Sequence, residues 1–232
     1  MIVAAAGLML FVLPQRAQSQ NGLASSISTF LKSDARTFEA ELKKYRPAAD
    51  RAQLAASLTS FYASLPENSE VQTFNRSEQR KLSLLDSFLS VHERNSVYQL
   101  KVLRMPQAAV ALYERTILWI SQSALNLLHE EELQAVAAHE MGHEYVWEET
   151  QQAKATSDFD RQRQIELFCD AIAILTLRRA GINPSRVIDG IDKMNRFNQE
   201  RFGTPLNADS YPTTADRKRS ASEVVKWAAR SK

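Results

Sequence analysis

The chain has 232 residues, 44% of them hydrophobic and 24% charged, enough for one globular domain with a sizeable core. Its 29 basic and 27 acidic residues nearly balance, which excludes a strongly cationic nucleic-acid surface and an acidic tail. Helix formers dominate and glycine is sparse, so the composition predicts an α+β protein, mostly α, with one small sheet.

Residues 1–19 read as a secretory signal peptide. Ile2 to Leu13 is an apolar run too short to span a membrane comfortably, and Ala17-Gln18-Ser19 offers small residues for a signal peptidase. No Lys or Arg precedes the run, so a retained membrane anchor is the alternative. No cysteine follows it for lipid attachment. A cleaved leader would place a mature chain starting near Gln20 in the periplasm or outside the cell, with no stable membrane span. The only cysteine, Cys169, excludes an intramolecular disulfide.

Residues 20–95 read as a helical scaffold joined to a core at 96–232, the two forming one compact unit. The first helix carries Ile27, Phe30, Leu31, Phe38, Leu42 and Tyr45. Pro47 separates it from a second with Leu54, Leu58, Phe61, Tyr62 and Leu65, which Pro66 to Ser69 breaks. Asn75, with Glu78 three residues on, is a capping-box variant that opens a third helix with Leu82, Leu85, Phe88 and Leu89. No chemistry is visible here; the segment serves as scaffold or as a partner- or substrate-binding surface. Val97 to Val102 then alternates weakly as a strand. Ala108 to Tyr113 and Thr116 to Ser121 predict a hairpin about Glu114-Arg115, although the turn has neither Gly nor Asn.

The chemistry begins at His139-Glu140-Met141-Gly142-His143, which spells HExxH. On a helix, positions i and i+4 share a face, so both imidazoles can reach one metal ion. Glu140 stands beside them as a general base for a metal-activated water. Acidic residues and strong helix formers from Glu131 to Ala138 support that helix. Further on, Glu166 and Asp170 are again i and i+4, on a stretch rich in Ile, Leu and Phe. Glu166 can complete the ligand set, and Asp170 can accept a hydrogen bond from the far nitrogen of a ligand imidazole. Cys169, one turn from Glu166, reads as a small core residue. Gly181 predicts the end of this helix, and Asn183-Pro184 the cap and first position of the next, with Val187, Ile188, Ile191, Met194 and Phe197.

From Pro106 to Arg217 the chain resembles the HtpX/Oma-like gluzincin metallopeptidases, metallopeptidase family forty-eight. The resemblance rests on PQAAVALYERTILWISQSALNLL, EEELQAVAAHEMGH, ELFCDAIAILTLRRAGINP and SYPTTADR. It implies a zincin-like domain with a small antiparallel sheet beside the HExxH helix. It also implies one Zn2+ per chain held by His139, His143 and Glu166, with Glu140 as base and Asp170 orienting a ligand histidine. The family's strand before the HExxH helix is an exposed edge to which substrate adds as a further strand. Ala108, Ala109 and Val110 would supply that backbone here, although Gln107 stands where the family usually has Asn. The late family motif has His-Pro followed by Arg; this chain keeps Pro212 and Arg217 but has Tyr211 in place of the His. Either Tyr211 replaces it as an electrophilic donor or the site is altered; Tyr211 and Arg217 are the candidates for stabilising an oxyanion. The expected function is a zinc-dependent endopeptidase acting on protein or peptide substrates in envelope protein quality control. A non-catalytic, zinc-stabilised chaperone-like or binding protein is the alternative.

Overall fold

The computed structural model describes residues 51–89, 98–203 and 209–230. The expected signal peptide and the first helix from Ile27 to Tyr45 lie outside the described residues. Two N-terminal helices, α1 (Arg51–Ser64) and α2 (Arg76–Leu89), match the second and third expected ones. The α2 cap has the predicted form. Asn75 Oδ1 accepts from the backbone N–H groups of Ser77 and Glu78 at 2.9 and 3.0 Å, and Glu78 Oε2 accepts from Asn75 N–H at 2.8 Å.

Three strands follow, β1 (Gln99–Leu103), β2 (Val110–Tyr113) and β3 (Ile117–Ser121), in the order β1-β3-β2. The sheet is mixed, which corrects the expectation of an antiparallel one. The β2–β3 hairpin is antiparallel, but β1 pairs with β3 in parallel. Residues between β1 and β2 carry the chain past the central position, so β3 returns in the direction of β1. The hairpin turn explains its missing glycine: Glu114 and Arg115 both take positive φ, 43° and 62°. They are the central residues of a turn closed by Thr116 N–H donating to Tyr113 O at 3.1 Å, in a loop of three residues between Tyr113 and Ile117, and non-glycine residues supply this handedness at some steric cost. The outer edge of β1 is closed by residues 69–71, with Val71 N–H donating to Val102 O at 2.8 Å.

Side chains alternate across the sheet. Leu100, Val102, Val110, Leu112, Leu118 and Ile120 face the main core, while Leu103, Tyr113, Ile117 and Trp119 pack with Phe61 and Leu58 of α1. Below the main-core face run α3 (Gln122–Leu127), α4 (Glu130–Tyr145), α5 (Trp147–Ala155), α6 (Phe159–Arg179), α7 (Arg186–Phe202) and α8 (Thr214–Arg230). The short α3 is held at its end by Lys81, whose ammonium donates to the carbonyls of Leu125 and Leu128 at 2.7 Å each. No described helix is long and apolar enough to cross a membrane.

Helix α4 carries the HExxH residues and is the centre of the arrangement. Its buried residues, from Leu133 through Ala135, Val136, Ala137, Ala138 and Met141, cover most of its circumference, because β2, α2, α6 and α7 all pack on it. Two glycines set how closely. A Cβ on Gly142 would stand 2.8 Å from Cys169 Cα, and one on Gly190 would stand 2.9 Å from Val136 Cγ2 and 3.1 Å from Glu132 O. Gly142 therefore lets α4 approach α6 at the level of the histidines. Gly142→Ala is expected to push the two helices apart, costing about 1–3 kcal/mol in stability and weakening metal binding. Chemical denaturation and a metal titration on the same variant check both effects.

Helix α6 starts on Asp158, which accepts from Arg161 N–H at 2.9 Å. It ends as expected at Gly181, in a Schellman arrangement: Gly181 N–H donates to Arg178 O at 3.1 Å and Ile182 N–H to Leu177 O at 2.9 Å. The next start needs a correction of two residues. Asn183 and Pro184 form a preceding turn, in which Asn183 Oδ1 accepts from Ser185 N–H at 3.0 Å, and α7 begins at Arg186. Helix α8 opens on Thr213, whose Oγ1 accepts from Asp216 N–H at 3.1 Å, and this fixes Arg217 in its first turn.

Candidate metal centre

His139 and His143 stand one turn apart on α4, and Glu166 meets them from α6. His139, Glu140 and His143 offer ligand atoms that all lie within 4.8 Å of one another, a group that could hold a metal ion. Glu166 adds a closer relation. Its Oε2 is 3.3 Å from His139 Nε2 and its Oε1 is 3.5 Å from His143 Nε2. Tetrahedral zinc with ligand bonds of about 2.0–2.2 Å separates its ligand atoms by roughly 3.3–3.6 Å. Glu166 thus stands at ligand spacing from both histidines, beside the group of His139, Glu140 and His143.

The electrostatics point the same way. Burial pushes His143 down to about 4, so its imidazole is neutral at pH 7 despite the nearby carboxylate. The 3.5 Å contact with Glu166 is therefore not an ion pair. Burial also opposes charge on His139, but hydrogen bonds to Asp170 and Glu166 outweigh it and raise its pKa to about 10. Burial acts against ionised Glu166 as well, yet the His139 hydrogen bond and the neighbouring His139, His143 and Arg217 hold the carboxyl well below its usual range. A buried carboxylate and two converging Nε2 atoms make a pocket that draws positive charge, a proton or a metal cation.

Asp170 Oδ1 lies 2.8 Å from His139 Nδ1. That bond leaves Nε2 directed at Glu166, so that on losing its proton Nε2 is the nitrogen open to a metal. His143 Nδ1 is buried and has no hydrogen-bond partner among the described residues. Arg217, only 4% exposed, closes the back of the group. Its Nη1 is 2.6 Å from both oxygens of Asp170, and its Nη2 is 3.1 Å from Glu166 Oε2. Arg217, a candidate for stabilising an oxyanion, directs these hydrogen bonds to the Asp170 and Glu166 carboxylates.

Glu140 is raised to about 7, first by burial and then by the Glu166 charge, with His139, a backbone hydrogen bond from Leu112 and Lys154 acting against the rise. Tyr211 is 39% exposed, at the rim. Its phenol is nevertheless pushed up to about 12 by burial of the hydroxyl end and by the Glu166 and Glu140 carboxylates, with Arg217 opposing. Cys169 is buried and its thiol is raised well above the ordinary value, first by burial, so it is an inert core residue.

The expected backbone of Ala108, Ala109 and Val110 divides differently. Ala109 faces β3, with Ser121 N–H donating to its carbonyl at 2.8 Å and its own N–H donating to Ser121 Oγ at 2.9 Å. Ala108 is already paired to a side chain: its N–H donates to Asn198 Oδ1, and Asn198 Nδ2 donates to its carbonyl, both at 2.8 Å. Of the three, only Val110 lacks such a commitment, because antiparallel alternation turns its backbone away from β3. The strand before the HExxH helix in sequence, β3, is central in the sheet; the edge strand is β2. Sequence reasoning missed Asn198, Leu112 and Gly142. Only Gly142, a glycine inside a helical motif, left a signal.

Among known proteins, no family model matches the chain and no curated protein shows significant similarity to it. A functional assignment therefore rests on the chain's own residues.

Proposed function

We propose that this protein is a zinc-dependent endopeptidase with a zincin-like, HtpX/Oma-type gluzincin site. The observation that carries the reading is the Glu166 carboxylate spanning two histidine Nε2 atoms at 3.3 and 3.5 Å, with Glu140 on the histidines' own helix. His139, His143 and Glu166 would hold the metal. Two imidazoles and a carboxylate suit Zn2+, and three protein ligands leave a position open for chemistry. Bound there, zinc would act as a Lewis acid toward a scissile carbonyl and a water.

The chain's own residues would do the rest. Asp170 and Arg217 hold His139 and Glu166 in place. Glu140, half-buried and raised to about 7, takes a proton from the attacking water and delivers it to the leaving amine. A base with a pKa near the working pH serves both transfers. Tyr211 keeps its proton at neutral pH, since its pKa lies at about 12, and can donate to the carbonyl oxygen as that atom gains charge. An extended protein or peptide segment would lie along β2. A cleaved 1–19 leader would deliver the enzyme to the periplasm or the exterior, where quality control of unfolded envelope proteins is a fitting task.

Metal analysis and hydrolysis of unfolded casein test this together. The expected result is one zinc per chain and cleavage that a chelator abolishes and Zn2+ restores. Zinc without cleavage would leave the chaperone-like binding protein; no bound metal would overturn the reading. If Tyr211 is the donor, Tyr211→Phe lowers kcat by roughly 10²–10³. Zinc content and KM stay near wild type, because the bond forms in the transition state. Steady-state kinetics with metal analysis check this, and a wild-type kcat would remove Tyr211 from the mechanism.

A further inference from the structure

Resting on that reading, we infer that Asn198 limits main-chain recognition along β2, so that the site reads only a short stretch of extended peptide. The outward-facing backbone positions of an edge strand recur every second residue. Along β2 and the residue pair before it they fall at Ala108, Val110 and Leu112. Asn198 reaches from α7 and fills the first. Its amide accepts from Ala108 N–H and donates to Ala108 C=O, both at 2.8 Å, as the backbone of a neighbouring strand would. Val110, the next outward position, is the first one left to pair with substrate.

This arrangement has a consequence for substrate class. A strand lying beside β2 is paired at Val110 and meets a side-chain plug two residues later. Affinity then depends on a brief extended segment, as an unfolded chain presents anywhere along its length, and a long preformed strand gains nothing more. Asn198 touches neither the scissile bond nor the metal ligands; it positions substrate by ending the ladder.

The test uses the full-length, Zn2+-loaded protein. Fluorescein-labelled extended peptides, each one residue longer than the last and lengthened toward either end, are bound to the Glu140→Gln variant with Asn198 intact or changed to Ala. With Asn198 intact, affinity should level off in one direction once the peptide pairs with Val110. In Asn198→Ala, lengthening by two more residues should raise affinity about tenfold, the worth of a pair of newly made main-chain hydrogen bonds. Hydrogen exchange at the Ala108 amide should rise in free Asn198→Ala and fall again with the longer peptide bound. Should Asn198→Ala fail to fold, Asn198→Asp serves. It can accept from Ala108 N–H but cannot donate to the carbonyl, and a smaller gain of the same sign is expected. The same levelling-off with and without Asn198 overturns the inference while casein cleavage leaves the peptidase reading standing. No peptide binding together with no casein cleavage overturns both.

Discussion

Glu140→Gln is expected to slow peptide hydrolysis by about 10²–10⁴-fold while zinc content and fold stay unchanged. The substitution is nearly isosteric and removes only the capacity to take a proton. Glu140 is not needed for the ligand geometry, because Glu166 already places Oε2 3.3 Å from His139 Nε2 and Oε1 3.5 Å from His143 Nε2. Burial raises Glu140 because its charged form is poorly solvated, and a neutral amide there relieves that cost. The variant should therefore be no less stable than wild type. A purely structural zinc site predicts no such asymmetry, since it has no use for a base. Casein hydrolysis, metal analysis and thermal unfolding on one preparation decide the matter. Activity within a few-fold of wild type would take the base role away from Glu140.

Much of the site was legible because its parts are local. HExxH and the Glu166–Asp170 pair each need only the i, i+4 geometry of a single helix. The facing of those two helices was not local, and it depends on Gly142 passing Cys169 at a distance that no other residue allows. The amphipathic pattern was no help there, since α4 is buried on several sides and shows no polar stripe. The hairpin at Glu114-Arg115 followed from alternating apolar residues, whereas the parallel pairing of β1 with β3 is set by which strand takes the centre, and periodicity does not encode that. The start of α7 was misplaced because Asn183 caps a turn as readily as a helix. Ser121, read as the end of a strand, also caps α3 and ties down Ala109. Arg217 was found by motif, but its role depends on partners 47 and 51 residues away, which only the packing of α8 on α6 brings together.

Arg217→Met should destabilise the metal-free protein by about 3–5 kcal/mol, the usual cost of removing one partner from a buried ion group. The side chain is 4% exposed and Asp170 1%, so water cannot take over. Its loss strips Asp170 of a guanidinium bonded to both oxygens at 2.6 Å and Glu166 of a bond at 3.1 Å. Two carboxylates would then share the His139 imidazole as their main buried counter-charge. Zn2+ should return part of the lost stability, because a dication at His139, His143 and Glu166 compensates Glu166 directly. Asp170 stays undercompensated, so recovery should be incomplete. Arg217→Lys should fall between, since an ammonium cannot reproduce the fork that spans both carboxylates. The distinguishing measurement is urea unfolding with chelator and with Zn2+. An arginine serving only as an oxyanion donor would leave both curves unmoved and lower kcat alone. The positioning role predicts a large shift with chelator, a smaller one with zinc, and a loss of zinc affinity that accompanies the loss of rate.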